Sequence, residues 1–346
     1  MIVVNNLGTR EGAYPQLLHA DWNGWTFADV IFPFFLFIVG VSLTLSTGAR
    51  IEGGSDRISL LSRAVRRTLL LYVSGVFIDL LVFPQRSFPY FALQDHVRLS
   101  GVLQNIAVCY LLAFLIYMAA GWPGAILGII VVNLVYLGLL YRYPVPGCGS
   151  GVLTPGCSFP VYFEGLLKGH GWSALFAPDG LGTVLPQLAS ILFGVPAGVL
   201  LRTEPRPRPR LLRLLGGGLG LALFGVVLAR WVPINKHLWT TSYSVLMAGL
   251  AAICFAACYC VVDVWRSGRW LKPLEIFGMN AVAAYLLSYP VDHALRVHVA
   301  GRSLNDDLCQ RLASPSNASL LFAVLVCMVV CSFAWFMYRR RWFLKF

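Results

Sequence analysis

Apolar residues in this chain cluster in long blocks that are separated by polar connectors. A helix needs about 20 residues to cross the apolar core of a bilayer, which is roughly 30 Å thick, and the blocks are long enough to do so. The sequence therefore predicts an all-α, polytopic transmembrane bundle, which we treat as one domain over residues 1–346. We place nine spans, at 27–47, 67–84, 101–121, 122–141, 183–202, 211–231, 240–262, 274–293 and 317–338.

The composition leaves no room for a large soluble domain. Of 346 residues, 58% are hydrophobic and 12% are charged, against about 25% charged in an ordinary soluble domain. The mean hydropathy over the whole length is +0.72. No cleavable signal peptide is visible at the start, because Met1–Asn6 is too short for an apolar region and lacks a basic flank.

The positive charges mark one side of the predicted bundle. The net charge is +12, and 17 of the 27 Lys and Arg residues lie in the connectors 50–67, 202–213, 266–272 and 339–346. Basic connectors are typical of the cytoplasmic side, and they alternate with the remaining connectors along all nine spans. We therefore expect an integral membrane protein with a cytoplasmic C terminus and the other connectors exported; in a bacterial cell this membrane would be the inner membrane. Topology explains the charge, so the sequence does not indicate nucleic-acid binding.

The cysteines fit this assignment. Cys148 and Cys157 lie nine residues apart in a Gly- and Pro-rich exported connector, where a disulfide persists in an oxidising compartment. The cysteines of the apolar spans are read as packing residues. They have no His, Asp or further Cys at ligand spacing, so the sequence predicts no metal site.

Polar side chains at or inside the membrane are the informative positions, because each is costly unless it is buried in protein or faces a wet cavity. Taken singly, His19 reads as an interfacial histidine, Asp29 as a helix cap, and Lys236 as a side chain that extends to the headgroups. Four polar clusters are more than an interfacial belt of polar and aromatic side chains requires, so the single-residue interpretations do not explain them together. Three of the clusters fall at exported helix ends. The four clusters contain Asn5, Asn6, His19 and Asp29; Arg98, Gln104 and Asn105; Asn235 and Lys236; and Asn280.

At these clusters the sequence resembles a known family. The segment 19–40, His-Ala-Asp-Trp-Asn-Gly-Trp-Thr-Phe-Ala-Asp-Val-Ile-Phe-Pro-Phe-Phe-Leu-Phe-Ile-Val-Gly, closely resembles the opening motif of the heparan-α-glucosaminide N-acetyltransferase family. The other matches cover nearly the whole chain. They are Val97-Arg98 with Gly101-Val102-Leu103-Gln104, Pro146-Gly147-Cys148, the segment 232–240 around Pro-Ile-Asn-Lys, Gly278-Met279-Asn280, and the ending 338–345.

The resemblance implies that acetyl-CoA is drawn from the cytoplasm and that the acetyl group reaches the amine of a terminal glucosamine on the far side. The active histidine of the family maps onto His19, and its supporting asparagine maps onto Asn5, with Asn6 as the alternative. The family has a complete helix before that asparagine, so we expect a truncated first helix at Met1. The chain departs from the family pattern at two further positions. Ala177 replaces the first acid of the family's Asp-Pro-Glu-Gly motif, so that only Asp179 remains, and Asn105 replaces an arginine. Both departures indicate a different acceptor.

Amide formation from a thioester needs a neutral amine, a route for its proton, and stabilisation of the oxyanion. A histidine titrates near neutral pH and suits the base, so His19 takes that role in our hypothesis. Asn5, with Asn235 or Asn280, would orient the base or donate to the oxyanion. The remaining candidates would bind anionic or polar parts of the substrates; they are Asp29, Arg98, Gln104 and Lys236.

Other interpretations stay open at this point. An acetyl-histidine intermediate is as compatible with the sequence as direct transfer. The acceptor is an amino sugar, another exported glycan or a lipid-linked sugar, and a homo-oligomer is an open alternative to a monomer. A proton-coupled transporter that uses His19, Asp29 and Arg98 is the alternative from another class. Arg63, Arg66 and Arg67 could hold the phosphates of CoA, but topology explains them equally well.

Overall fold

The structure is a computed structural model that describes residues 1–82, 101–168, 180–266, 271–296 and 314–343. Within those ranges the chain is helical and has no β-strand. The helices are α1 (Ile2–Asn5), α2 (Phe27–Glu52), α3 (Arg57–Val82), α4 (Val102–Arg142), α5 (Phe159–Lys168), α6 (Val184–Thr203), α7 (Pro207–Leu228), α8 (Thr241–Tyr259), α9 (Lys272–Met279), α10 (Ala281–Arg296) and α11 (Pro315–Arg339). The all-α prediction therefore holds for the described residues.

Six described helices are long and apolar enough to cross a membrane, and a seventh crossing is added if the bent pair α9 and α10 counts as one span. Those two helices meet at an angle of 85°. The predicted count of nine spans is not confirmed. The helix α3 falls outside the six because its first turns are rich in arginine, at Arg57, Arg63, Arg66 and Arg67. The helix α4 covers two of the predicted spans, 101–121 and 122–141, and is interrupted between them at Gly121.

The stretch α4 is bent at Gly121, between the two predicted spans. Gly121 has φ 60° and ψ −152°, a left-handed conformation that glycine adopts without a steric penalty. A Cβ built on Gly128 would lie 3.7 Å from Cδ1 of Ile116, although twelve residues of straight helix would separate them by about 18 Å. The chain therefore folds back at Gly121, and the two segments of α4 correspond to the spans predicted at 101–121 and 122–141.

The helices α2 and α6 approach each other closely through glycine. A Cβ on Gly40 would overlap the carbonyl oxygen of Ile191, and a Cβ on Gly194 would overlap the carbonyl oxygen of Phe37. Small residues of this kind let helix backbones touch inside a membrane. The contact fixes the axis of α2, whose first turn carries Asp29.

The two ends of the bundle differ in their chemistry. At one end, which we call the histidine end, the loop before α2 joins the loop before α8, where Gly24 N donates to Ile234 O over 2.8 Å. At the other, which we call the arginine end, α2 and α6 finish next to each other and Arg202 pairs with Glu52. The arginine-rich connectors that follow α2 and α6 therefore meet at the arginine end.

Candidate active site

Asp29 is built into the start of α2. The residue before the helix, Thr26, forms a capping box with it, in which the backbone N–H of Thr26 donates to Oδ2 of Asp29 over 2.9 Å. The backbone N–H of Ala20 donates to the same oxygen over 3.1 Å. The Asp29 side chain is fully buried. The hydrogen bonds that cap α2 therefore hold the carboxylate of Asp29 in a fixed orientation against the segment 18–26.

His19 and Lys236 meet the other oxygen of this carboxylate. Nδ1 of His19 lies 2.7 Å from Oδ1 of Asp29, and Nζ of Lys236 lies 3.3 Å from the same atom. Lys236 is also close to the imidazole, 3.0 Å from Nδ1 and 3.3 Å from Nε2. The Lys236 side chain is 6% exposed and the His19 side chain is 39% exposed. The buried pair is thus covered by a ring that reaches solvent.

The loop 232–240 brings Lys236 to this position through its own polar network. The Asn235 side chain accepts from Leu238 N over 2.8 Å and donates to Oδ1 of Asn23 over 3.2 Å. The hydroxyl of Thr240 accepts from Asn235 N and lies 2.7 Å from Pro233 O. Asn235 therefore has a positioning role in this geometry, since it shapes the loop and joins it to the segment that carries His19.

A second histidine lies beside the cluster and was missed as a candidate from sequence. His237 stacks on Trp22, with ring centroids 5.3 Å apart, and its Nε2 lies 3.0 Å from Ala20 O. The indole N–H of Trp22 donates to Leu153 O. Leu153 belongs to the loop closed by the bond between Cys148 and Cys157, whose Cα atoms are 5.7 Å apart. The disulfide loop therefore contacts the segment that holds His19.

His237 could have been predicted from its position directly after Lys236, inside the motif 232–240. Tyr243 could not have been predicted in this way, because it lies in an apolar span outside that motif. Its hydroxyl donates to the backbone oxygen of Asp29 over 2.7 Å and so joins α8 to the first turn of α2.

The asparagines at the start of the chain are not in contact with the imidazole. Asn5 ends α1 and is exposed, whereas Asn6 is buried and donates from its amide to Ile2 O over 2.7 Å. Neither side chain bonds to His19 in the part of the chain that the structure describes. Their proposed support of the base stays a prediction.

Of the remaining candidates, those that the structure describes make no hydrogen bond or ion pair with His19, and the others lie outside the described residues. Gln104 is buried between α3 and α4, against Gly75. Asn280 is buried at the bend between α9 and α10 and donates to Trp342 O over 3.3 Å, beyond the C-terminal end of α11. That position is at the arginine end. Arg98 lies outside the described residues, as do Ala177 and Asp179.

An apolar cavity of about 270 Å³ opens inside the bundle. It is lined from α2 by Phe35, from α4 by Ile106, from α10 by Tyr285, and from α11 by Cys327. Phe35 stands six residues after Asp29 on the same helix, about 9 Å further from the histidine end. Among the described residues, none of the cluster of His19, Asp29 and Lys236 lines this cavity, whose walls suit a slender, largely apolar part of a ligand.

The arrangement has the parts of a general base. A carboxylate that accepts a hydrogen bond from Nδ1–H fixes the tautomer and leaves the lone pair on Nε2. Nζ of Lys236 lies 3.3 Å from Nε2 of His19. A substrate group that forms a hydrogen bond with Nε2 would therefore also be close to the Lys236 ammonium. Among the described residues, no group of three or more His, Cys, Asp or Glu side chains could hold a metal ion.

Comparison with known proteins gives one family. A family model described as heparan-alpha-glucosaminide N-acetyltransferase, catalytic, matches residues 9–215. Heparan-alpha-glucosaminide N-acetyltransferase of Homo sapiens is 30% identical to this chain over 341 residues, and its Mus musculus counterpart is also 30% identical. Each alignment covers 83% of this chain and 50% of the relative, so the chain spans half the length of the curated relatives it matches.

Proposed function

This chain belongs to the heparan-α-glucosaminide N-acetyltransferase family, and we propose that it is a transmembrane N-acetyltransferase. It moves an acetyl group from cytoplasmic acetyl-CoA to the amine of a glucosamine-type sugar at the histidine end. The arginine end faces the cytoplasm of a bacterial cell, and the histidine end faces the periplasm. The names of the relatives support an amino-sugar acceptor.

The observation that carries this proposal is the pairing of His19 with a buried carboxylate. Nδ1 of His19 lies 2.7 Å from Oδ1 of Asp29, and the ring itself is part-exposed. An imidazole held in this way presents Nε2 to a substrate amine. The interfacial-histidine interpretation predicts a backbone carbonyl as the partner instead, and the ring does not take one among the described residues.

The reaction needs one base and one oxyanion donor. The amine of the acceptor attacks the carbonyl carbon of the acetyl thioester, and Nε2 of His19 takes the proton from its nitrogen. The ammonium of Lys236 stabilises the oxyanion of the tetrahedral intermediate. The carbon–sulfur bond then breaks, and the imidazolium returns its proton to the departing thiolate. The products are the N-acetyl sugar and CoA.

The apolar cavity supports entry of the donor from the arginine end. A polar nucleotide cannot cross lipid, so the acetyl end has to reach the cluster through protein. The cavity between α2, α4, α10 and α11 gives that end a route inside the bundle. Asn280 and Gln104 do not line this cavity themselves, but each is next in sequence to a residue that does, Ala281 and Leu103 respectively.

A transfer assay with purified protein tests the proposal. Acetyl-labelled acetyl-CoA is offered with a panel of amino sugars, other glycans and lipid-linked sugars, and the labelled product is identified. We expect the label on an amino sugar. We expect His19→Ala to lower the transfer rate by at least about 100-fold, the usual range for a lost general base.

The matched control is His293→Ala, which removes an exposed imidazole from α10 at the same end of the bundle. It should keep the wild-type rate. Near-normal turnover by a folded His19→Ala variant would remove the proposed role. Uptake of a solute into vesicles without any turnover of acetyl-CoA would favour the transporter instead, and label on a glycan without a free amine would replace the acceptor.

A further inference from the structure

A second cavity, of about 270 Å³, opens at the arginine end between α2, α3 and α4. We call it the arginine pocket. Four guanidinium side chains line it, together with the hydroxyl groups of two residues near the end of α2 and the ring of Tyr110. The guanidinium groups belong to Arg50, Arg63, Arg66 and Arg67, and the hydroxyl groups to Ser46 and Thr47.

The arginines of this pocket differ from other arginines at the same end. Arg202 pairs with Glu52, and Arg213 pairs with Glu204 over 2.8 Å. Within the described ranges, no arginine of the pocket makes an ion pair with a carboxylate, and no Asp or Glu lines the cavity. Membrane topology accounts for positive charge on this side, but it does not account for four guanidinium groups around one cavity whose described lining contains no carboxylate.

Arg67 is the deepest of the four. It lies ten residues into α3, and its guanidinium carbon lies 4.8 Å from the centroid of the Tyr110 ring. Its Nε is buried and has no hydrogen-bond partner among the described residues. A side chain that only marked topology would extend to the headgroups, whereas this one points between two helices with a donor to spare.

The arginine pocket and the apolar cavity lie along the same faces of two helices. On α4, Ile106 lines the apolar cavity and Tyr110, one turn further, lines the pocket. On α2, Phe35 lines the cavity and Ser46 lines the pocket. Eleven residues make about three turns, so both α2 residues face the same side. A ligand could therefore place a charged end among the arginines and a slender arm towards the histidine end.

We propose that the arginine pocket binds the phosphate groups at the nucleotide end of the acetyl-CoA donor. This inference rests on the proposed function, since it supplies the binding site for that donor. Guanidinium groups bind phosphate through paired, charge-assisted hydrogen bonds. A ligand with a diphosphate and a separate phosphate monoester matches a pocket with several guanidinium groups better than a single anion does. Phosphorylated lipid headgroups carry the same kind of phosphate group, and the experiment below distinguishes the two ligands.

Direct binding, rather than turnover, is the readout. The protein is placed in nanodiscs of phosphatidylcholine, which carry no net charge, and coenzyme A and 3′-dephospho-coenzyme A are titrated by calorimetry. We expect the double variant R66Q/R67Q to weaken coenzyme A binding by about 100-fold, roughly tenfold for each lost guanidinium–phosphate contact. The wild type should prefer coenzyme A to the dephospho form, and the variant should lose part of that preference.

The matched control is R206Q/R208Q, which removes two exposed arginines from the start of α7 at the same end. It has the same change in net charge, so it corrects for long-range attraction of the anion. R66K/R67K should recover part of the affinity and shows that loss in the glutamine variant is not misfolding. All variants are compared by thermal unfolding in the same nanodiscs.

The outcomes separate the two proposals. If the wild type binds coenzyme A and R66Q/R67Q binds it equally well, the pocket assignment is overturned while the enzymatic function stands. If R66Q/R67Q keeps coenzyme A binding but loses binding of a soluble, short-chain phosphoinositide that is titrated into the same phosphatidylcholine nanodiscs, the pocket is a lipid site and the inference is again overturned. If the wild type does not bind coenzyme A, both proposals fail together.

Discussion

The ion pair between Asp29 and Lys236 gives the sharpest prediction about the site. Both side chains are buried, and they share Oδ1 of Asp29 with the imidazole of His19. The substitution Asp29→Asn keeps the shape but leaves the Lys236 ammonium without a counter-charge. Removing one partner of a buried pair is expected to lower the free energy of unfolding by about 3–5 kcal/mol.

The reverse substitution should be milder. In Lys236→Met the carboxylate of Asp29 keeps the backbone N–H groups of Ala20 and Thr26 and the Nδ1 of His19, so fewer bonds are lost. The double variant has no unpaired charge. We therefore expect it to be more stable than the sum of the two single effects predicts, by about 0.5–3 kcal/mol, the range found for residues in direct contact.

Activity should not follow stability in this cycle. The asparagine has no charge to hold the imidazole, so transfer should fall by about 100-fold or more in both Asp29→Asn and the double variant. Unfolding is measured by denaturant titration in mixed micelles, and transfer by the labelled acetyl-CoA assay. Asp263→Asn, at an exposed aspartate of the arginine end, is the matched control. Strictly additive stabilities, or a double variant that regains activity, would refute the ion-pair reasoning.

Two further predictions concern the scaffold around the site. Cys148→Ser should lower the free energy of unfolding by about 2–3 kcal/mol, because the disulfide closes a loop with a separation of nine residues. A reductant should then shift the unfolding midpoint of the wild type and leave that of the variant unchanged; an equal shift in both would contradict it. Gly194→Leu should strongly destabilise the bundle, because its Cβ meets the Phe37 backbone, whereas Gly217→Leu, with open space around it, should not. Comparable midpoints for the two leucine variants would argue against tight packing of α2 on α6.

The fold class followed from the apolar blocks, but the number of spans did not. The mean hydropathy of a segment depends only on its composition and carries no information on how that segment packs against distant parts of the chain. It therefore divided the chain near Gly121 correctly, because a Gly-Trp-Pro segment interrupts the apolar run there. It did not foresee the 85° bend between α9 and α10. That bend depends on what packs around Asn280, which is information from distant segments such as the one that contains Trp342.

The site could be predicted from sequence where an ionisable residue of a recognisable motif stands at the start of a predicted helix. The sequence suggested Asp29 either as a cap or as a binding residue, and the structure gives it the capping contact and a contact with His19 together. Lys236 was assigned to anionic groups of the substrates, because sequence alone does not show that a buried carboxylate 207 positions earlier lies beside it. Residue type indicated polar function at both positions, but only three-dimensional proximity identified the partners.

The capping role of Asp29 has a consequence for how the proposed donor must bind. The carboxylate fixes His19 at one end of α2, and the arginine pocket begins at Ser46 on the same helix. Seventeen residues of helix separate the two positions by about 26 Å. A donor with its phosphates in the pocket must therefore lie extended along α2 to bring its thioester near Nε2, and a folded donor would leave the acetyl group inside the apolar cavity. Binding energy at the phosphates would then position the reacting end, and the rigid contact of α2 with α6 would preserve that distance through the reaction.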